Sequence, residues 1–121
     1  MTPRDALIAA AREFNGGRYF EAHEALEEAL DDLPDEHWNL FLGLIQISVG
    51  YHKITQGLWS GAARMLSIGL EKVEDLPRRY GGVSLEPLRT RARRDRDALD
   101  ARRFDDAAFR ADPPRLQPTP T

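Results

Sequence analysis

Residues 14–28 read Phe14-Asn-Gly-Gly-Arg-Tyr-Phe-Glu-Ala-His-Glu-Ala-Leu-Glu-Glu28. Asn15, Gly16 and Gly17 end one helix, because glycine reaches the left-handed conformation cheaply. A second helical pattern starts near Arg18 and runs to Leu33, where Asp31, Asp32 and Pro34 mark a turn. On a wheel of about 100° per residue, Tyr19, Ala22, Leu26, Leu30 and Leu33 form one apolar arc. His23 falls inside that arc and Glu27 falls on its border. Glu21, Glu24 and Glu28 point to the solvent side. The stretch reads as a hairpin turn that feeds an amphipathic helix.

The same logic extends in both directions. Thr2-Pro3 is an N-cap residue followed by proline, and it opens a first helix through Ala6, Leu7, Ala10, Ala11 and Phe14. A third helix spans about Asp35 to Gln56. Trp38, Phe41, Leu42, Ile45, Val49 and His52 share one arc of it, and Leu40, Leu44, Ile47, Tyr51 and Ile54 share the other. A helix apolar on both sides is buried on both sides, so this one is read as central. Gly57 ends it. Ser60 is placed as the cap of a fourth helix that reaches about Leu76, with Ala62, Ala63, Leu66, Leu70 and Val73 as its stripe. Gly81-Gly82 is a flexible turn. Ser84 caps a fifth helix whose stripe is Leu85, Leu88, Ala92 and Leu99. A short sixth turn falls at Phe104–Phe109. No stretch alternates with the period of a strand.

A weak repeat underlies this order. Gly17, Tyr19, Ala22, Leu26 and Leu30 are matched by Gly57, Trp59, Ala62, Leu66 and Leu70. In each copy a glycine turn precedes an aromatic residue and an amphipathic helix. Small residues at Ala22 and Ala62 allow neighbouring helices to approach closely. The fold class is therefore all-α. A compact bundle of about five helices is expected, built from two antiparallel helical hairpins plus a C-terminal helix. Residues 1–101 form the helical domain. Residues 102–121 form a proline-rich extension, read as poorly packed at its end.

Composition narrows the function classes. The chain has 121 residues, of which 41% are hydrophobic and 31% charged, an ordinary globular balance in one domain. It has no cysteine, which removes thiolate metal sites, disulfides and cysteine nucleophiles. No apolar run is long enough to span a membrane, and no leader is evident, so a cytoplasmic protein without a membrane partner is expected. The formal net charge is -3. Residues 1–60 carry four basic and ten acidic side chains, and the remainder carries thirteen basic and ten acidic. An acidic front and a basic rear attract each other within one molecule or between copies.

Chemistry-bearing residues fall in two groups. The first is His23, Glu27, Gln46 and His52. His23 and Glu27 are four apart and meet on one helix face. His52 lies in an apolar arc of the third helix, and Gln46 lies at its edge. These four side chains are expected to converge between the second and third helices. They form either a hydrogen-bonded packing network or a site for a small ligand or a divalent metal held by His23, Glu27 and His52. Zinc-protease and di-iron patterns do not match, because the chain reads His-Glu-x-x-Glu and places Phe20 and Val49 where the di-iron pattern needs glutamate. No serine sits in Gly-x-Ser-x-Gly, and no phosphate loop exists. The second group is the arginine run, from which Arg89, Arg93, Arg94 and Arg96 are candidates for nucleic-acid contact. Residues 78–103 hold nine arginines against four acids. Stacking aromatics are missing except Tyr80 and Phe104 at the ends.

The stretch Phe14–Glu28, the segment Phe41–His52 and the turn Gly57–Ala63 together resemble the family numbered 309 among domains of unknown function, found in bacteria and plastids. The shared features are Tyr-Phe-Glu-x-His-Glu-x-x-Glu, Gly-Leu-Ile-Gln, a downstream histidine and a Gly-x-x-x-Gly-Ala turn. The likeness covers about residues 4–90 and implies a small all-α bundle. It implies functional weight for a His-x-x-x-Glu motif, carried here by His23 and Glu27, and it aligns Gln46 and His52 with the second motif. Leu30 stands where that family usually has tryptophan, and Leu58 where it has asparagine. The family lends no activity. The expectation is a non-enzymatic binding or self-association module, with a homo-oligomer or a protein as partner. Where the monomer leaves them uncovered, Leu40, Leu44, Tyr51 and Met65 are the expected contact residues. Metal- or ligand-dependent activity at the His/Glu cluster is the alternative, and nucleic-acid contact ranks last.

Overall fold

The computed structural model describes residues 2–119. Helix α1 (Pro3–Asn15) starts as its sequence dictates. The Thr2 hydroxyl accepts from the Asp5 N–H at 3.1 Å, and the Asp5 carboxylate accepts from the Thr2 N–H at 3.1 Å. This reciprocal pairing satisfies two backbone donors that the helix leaves open. The same bonds hold the Asp5 carboxyl below its ordinary pKa. Ala6, Leu7, Ala10, Ala11 and Phe14 form the buried stripe.

Helix α2 (Tyr19–Glu27) has nine residues and stops earlier than the periodicity predicts. Glu27, Glu28, Asp31 and Asp32 crowd the end where the helix dipole is negative, and no basic residue lies in its last turn to offset them. The chain instead passes through two single 3-10 turns, Leu30–Asp32 and Asp35–His37. Helix α3 (Trp38–Thr55) therefore begins three residues later than Asp35.

Helix α3 is the central element, packed against both α2 and α4 (Trp59–Val73). Its two arcs are not equally covered. Leu40, Leu44, Ile47, Tyr51 and Ile54 are fully buried, whereas Leu42, Val49 and His52 are half-buried and Trp38 is exposed. Leu40, Leu44 and Tyr51 are thus core residues, as a helix apolar on both sides implies, and the monomer does not leave them uncovered for a contact surface. The α3–α4 crossing is close. A Cβ on Gly69 would stand 2.8 Å from the Gly43 carbonyl oxygen, so only glycine lets the two backbones meet there. Leu58, not Ser60, occupies the N-cap position of α4.

Beyond α4 the chain forms β1 (Arg79–Tyr80), β2 (Val83–Ser84), α5 (Leu85–Asp100), α6 (Asp106–Ala111) and β3 (Gln117–Pro118). Helix α5 packs on α4. The strands make a small antiparallel sheet in the order β1-β2-β3, with Val83 opposite Tyr80 and Pro118. Two-residue strands are too short to show an alternating pattern, which is why the sequence reads as helix only. Ser84 holds the N-cap position of α5 without a side-chain cap bond.

The C-terminal segment corrects the reading of an unpacked tail. Leu116 and Phe109 are buried. The Asn15 amide donates to the Leu116 carbonyl at 3.0 Å and accepts from its N–H at 2.7 Å. Arg4 donates to the Thr119 carbonyl at 2.7 Å. Residues 120 and 121 of that expected tail lie outside the described residues. The protein is mostly helical, with six helices packed as a bundle and one small sheet among the described residues. No helix among them is long and apolar enough to cross a membrane.

Candidate functional site

The turn at residues 16–18 sets the start of α2, and one turn later the helix presents His23. Its Nδ1 lies 2.6 Å from the Phe20 carbonyl oxygen, and its Nε2 lies 3.1 Å from a Glu27 carboxylate oxygen. Carbonyl and carboxylate both accept, so the two bonds coexist when the ring carries both protons. His23 is largely buried, but the Glu27 side chain is 57% exposed. Glu27 therefore points along the surface, not toward the interior as the wheel suggested.

Phe20 joins the two histidines. Its ring centroid is 4.8 Å from that of His23 and 5.4 Å from that of His52. No hydrogen bond ties His52 or Gln46 to the His23–Glu27 pair among the described residues, and the buried Gln46 Oε1 has no partner. The four expected site residues do not form one polar network. The proposed ligand set His23, Glu27 and His52 is not assembled either. Among the described residues no group of three histidine, aspartate or glutamate side chains is placed to hold a metal. A single ion pair with one carboxylate in solvent contributes only about 0–1 kcal/mol of stability.

The buried polar network lies elsewhere. Tyr51 of α3 donates to Asp95 Oδ2 of α5 at 2.7 Å, and Arg91 Nε donates to the same oxygen at 2.9 Å. The Asp95 side chain is 7% exposed. Phe14, Tyr19 and Phe109 surround the Tyr51 ring, with Tyr51 stacked on Phe109 at 5.9 Å and Tyr19 tilted against Tyr51 at 5.6 Å. Burial drives the Tyr51 phenol well above its ordinary pKa, and the adjacent Asp95 charge adds to this. Burial also pushes Tyr19 up to about 12. The phenols stay protonated, and Tyr51 serves as a donor. The arrangement fixes the register of α3 against α5. Asp95 was visible in the sequence: it falls three residues after Ala92 and four before Leu99, inside the apolar stripe of the fifth helix.

The arginine run does not make one basic face. Arg89 is buried and donates to the carbonyls of Val73 at 2.8 Å and Leu76 at 2.6 Å, and to Glu86 at 2.8 Å. It satisfies carbonyls at the end of α4, which corrects its reading as a surface contact. Its guanidinium also holds the Glu86 carboxyl below its ordinary pKa. Arg93 and Arg96 are half-buried and share a groove with Glu71 of α4 and Glu74 just past its end. Arg94 alone of the four is exposed.

No curated protein matches the chain. A family model, Domain of unknown function (DUF309), matches residues 7–65. That span runs from α1 into α4 and includes the Phe20, His23 and His52 corner. It leaves out the Arg91–Asp95 pair, which lies on α5. Residues 7–65 of this chain match a DUF309 domain.

Proposed function

We propose that the protein is a non-enzymatic binding module that self-associates through one end of its bundle. The two glycine turns, at 16–18 and 56–58, lie at the same end, because α2 runs antiparallel to α3 and Phe20 meets His52 there. The observation that carries the reading is the exposure of Phe20 at 44% and Leu58 at 49% at this end. Leaving a large apolar side chain in water forgoes about 1.5–3 kcal/mol of burial, and contiguous apolar surface marks contact sites. The acidic first half and basic second half of the chain supply charge complementarity between copies.

Light scattering over a wide concentration range tests this. The wild type is expected to pass from 13.7 kDa to twice that mass. Phe20→Ser and Leu58→Ser, both at exposed positions, are expected to stay monomeric. A wild type that stays monomeric throughout removes the reading.

A further inference from the structure

A cleft of about 700 Å³ opens between the start of α4 and the end of α5. Trp59, Arg64, Asp100, Arg102 and Phe104 line it. Its volume lies in the range of small-ligand sites, about 300–1,000 Å³.

Arg102 is the unusual member. The Arg102 N–H donates to the Leu99 carbonyl at 3.1 Å, and the Arg103 N–H donates to the Ala98 carbonyl at 2.8 Å. This pair of bonds closes the end of α5 as the corresponding pairs close α1 and α3. In those two helices the left-handed position holds Gly17 and Gly57. In α5 it holds Arg102, with φ 56°, and no other described non-glycine residue has positive φ. Such backbone strain in a non-glycine residue is found at ligand-binding positions. Here the strained residue lines the cleft.

The cleft's charges and rings point to a ligand class. Neither Arg64 nor Arg102 forms an ion pair among the described residues, although most other ion pairs in the molecule are made by arginine. Trp59 is 43% exposed and packs against Phe104 at 5.6 Å, so a flat ring has an aromatic platform on the wall. Guanidinium groups recognise carboxylates and phosphates through paired hydrogen bonds. We propose that this cleft binds a small anion that joins a phosphate or carboxylate to a flat ring. Arg64 and Arg102 take the anion, and Trp59 with Phe104 takes the ring. Asp100 disfavours a second negative charge near it and accepts from a ring amine or a hydroxyl. The inference does not depend on self-association.

The test uses the Trp38→Phe variant, in which Trp59 is the sole tryptophan. Adenosine monophosphate and 2-naphthoate serve as anionic probes, and adenosine as the uncharged control. Saturable quenching of Trp59 by at least one anion is expected, with adenosine weaker by about tenfold or more. Arg102→Gly is expected to raise the melting temperature and yet weaken anion binding by at least that factor. Arg64→Ala is expected to weaken binding without raising the melting temperature. No saturable quenching by either anion, or undiminished binding in Arg102→Gly, overturns the proposal.

Discussion

The first and second helical hairpins turn the same corner and put different things on it. At the first corner Arg18 N–H donates to the Glu13 carbonyl and Gly17 N–H to that of Phe14. At the second, Leu58 N–H donates to Lys53 and Gly57 N–H to Ile54. The glycine φ values are 80° and 74°, and the next helix starts two residues later in both. The residue that follows diverges. Tyr19 is 3% exposed and packs against Phe14, Tyr51 and Phe109, whereas Trp59 is 43% exposed and meets Phe104. A repeated backbone device carries the fold. The side chains mounted on it separate a structural aromatic from one left available for binding.

That contrast breaks most easily at the aromatics. Tyr19→Ala is expected to cost about 3–5 kcal/mol, and Trp59→Ala at most about 0.5 kcal/mol, in urea unfolding. Equal costs would erase the distinction. The next largest effect concerns the network beside Tyr19. Tyr51→Phe leaves a buried Asp95 oxygen with one donor fewer and is expected to cost about 1–3 kcal/mol. The pH dependence follows from the same burial. Raised phenol pKa values mean that the folded protein holds protons the unfolded chain releases. Stability is therefore full below about 10 and falls as pH rises through about 12, the Tyr19 value. Unfolding measured across this window is expected to show a shallower decline in Tyr51→Phe. The smallest effect tests the shared backbone. A Cβ on Gly17 or Gly57 would meet nothing within 4 Å, so only the conformation resists it. Gly17→Ala and Gly57→Ala are each expected to cost about 1–2 kcal/mol, and unequal losses would show that the corners are not equivalent.

The parts of the fold legible in the sequence are those governed by local chemistry. Thr2-Pro3, the glycine corners and the apolar stripes of α1 and α4 act within a few residues, and each holds. Periodicity overextends helix α2 because Leu30 and Leu33 keep the helical period while the run of acids opposes the helix end, and charge outweighs spacing. The wheel shows that Leu40, Leu44 and Tyr51 form an apolar face but not which helix covers it. The packing of Leu116 depends on Asn15, about a hundred residues away, so no local signal exists. At the candidate site, the pairing of His23 with Glu27 was legible from spacing. The separation of Gln46 from that pair was not, since it depends on how α2 and α3 rotate against each other. Asp95 lies in the apolar stripe, but among nine arginines and four acids charge alone does not set it apart. Arg102 belongs to the same run of charges. Its left-handed backbone emerges only when the helix end is seen.

The end of the bundle bearing Phe20 and Leu58 is the proposed contact surface between copies. Amide hydrogen exchange of the wild type at low and high protein concentration tests it most directly. Added protection at high concentration is expected only over residues 16–23 and 52–60, and is expected to be absent in Phe20→Ser. Protection that is independent of concentration, or that gathers on α5 instead, would contradict it.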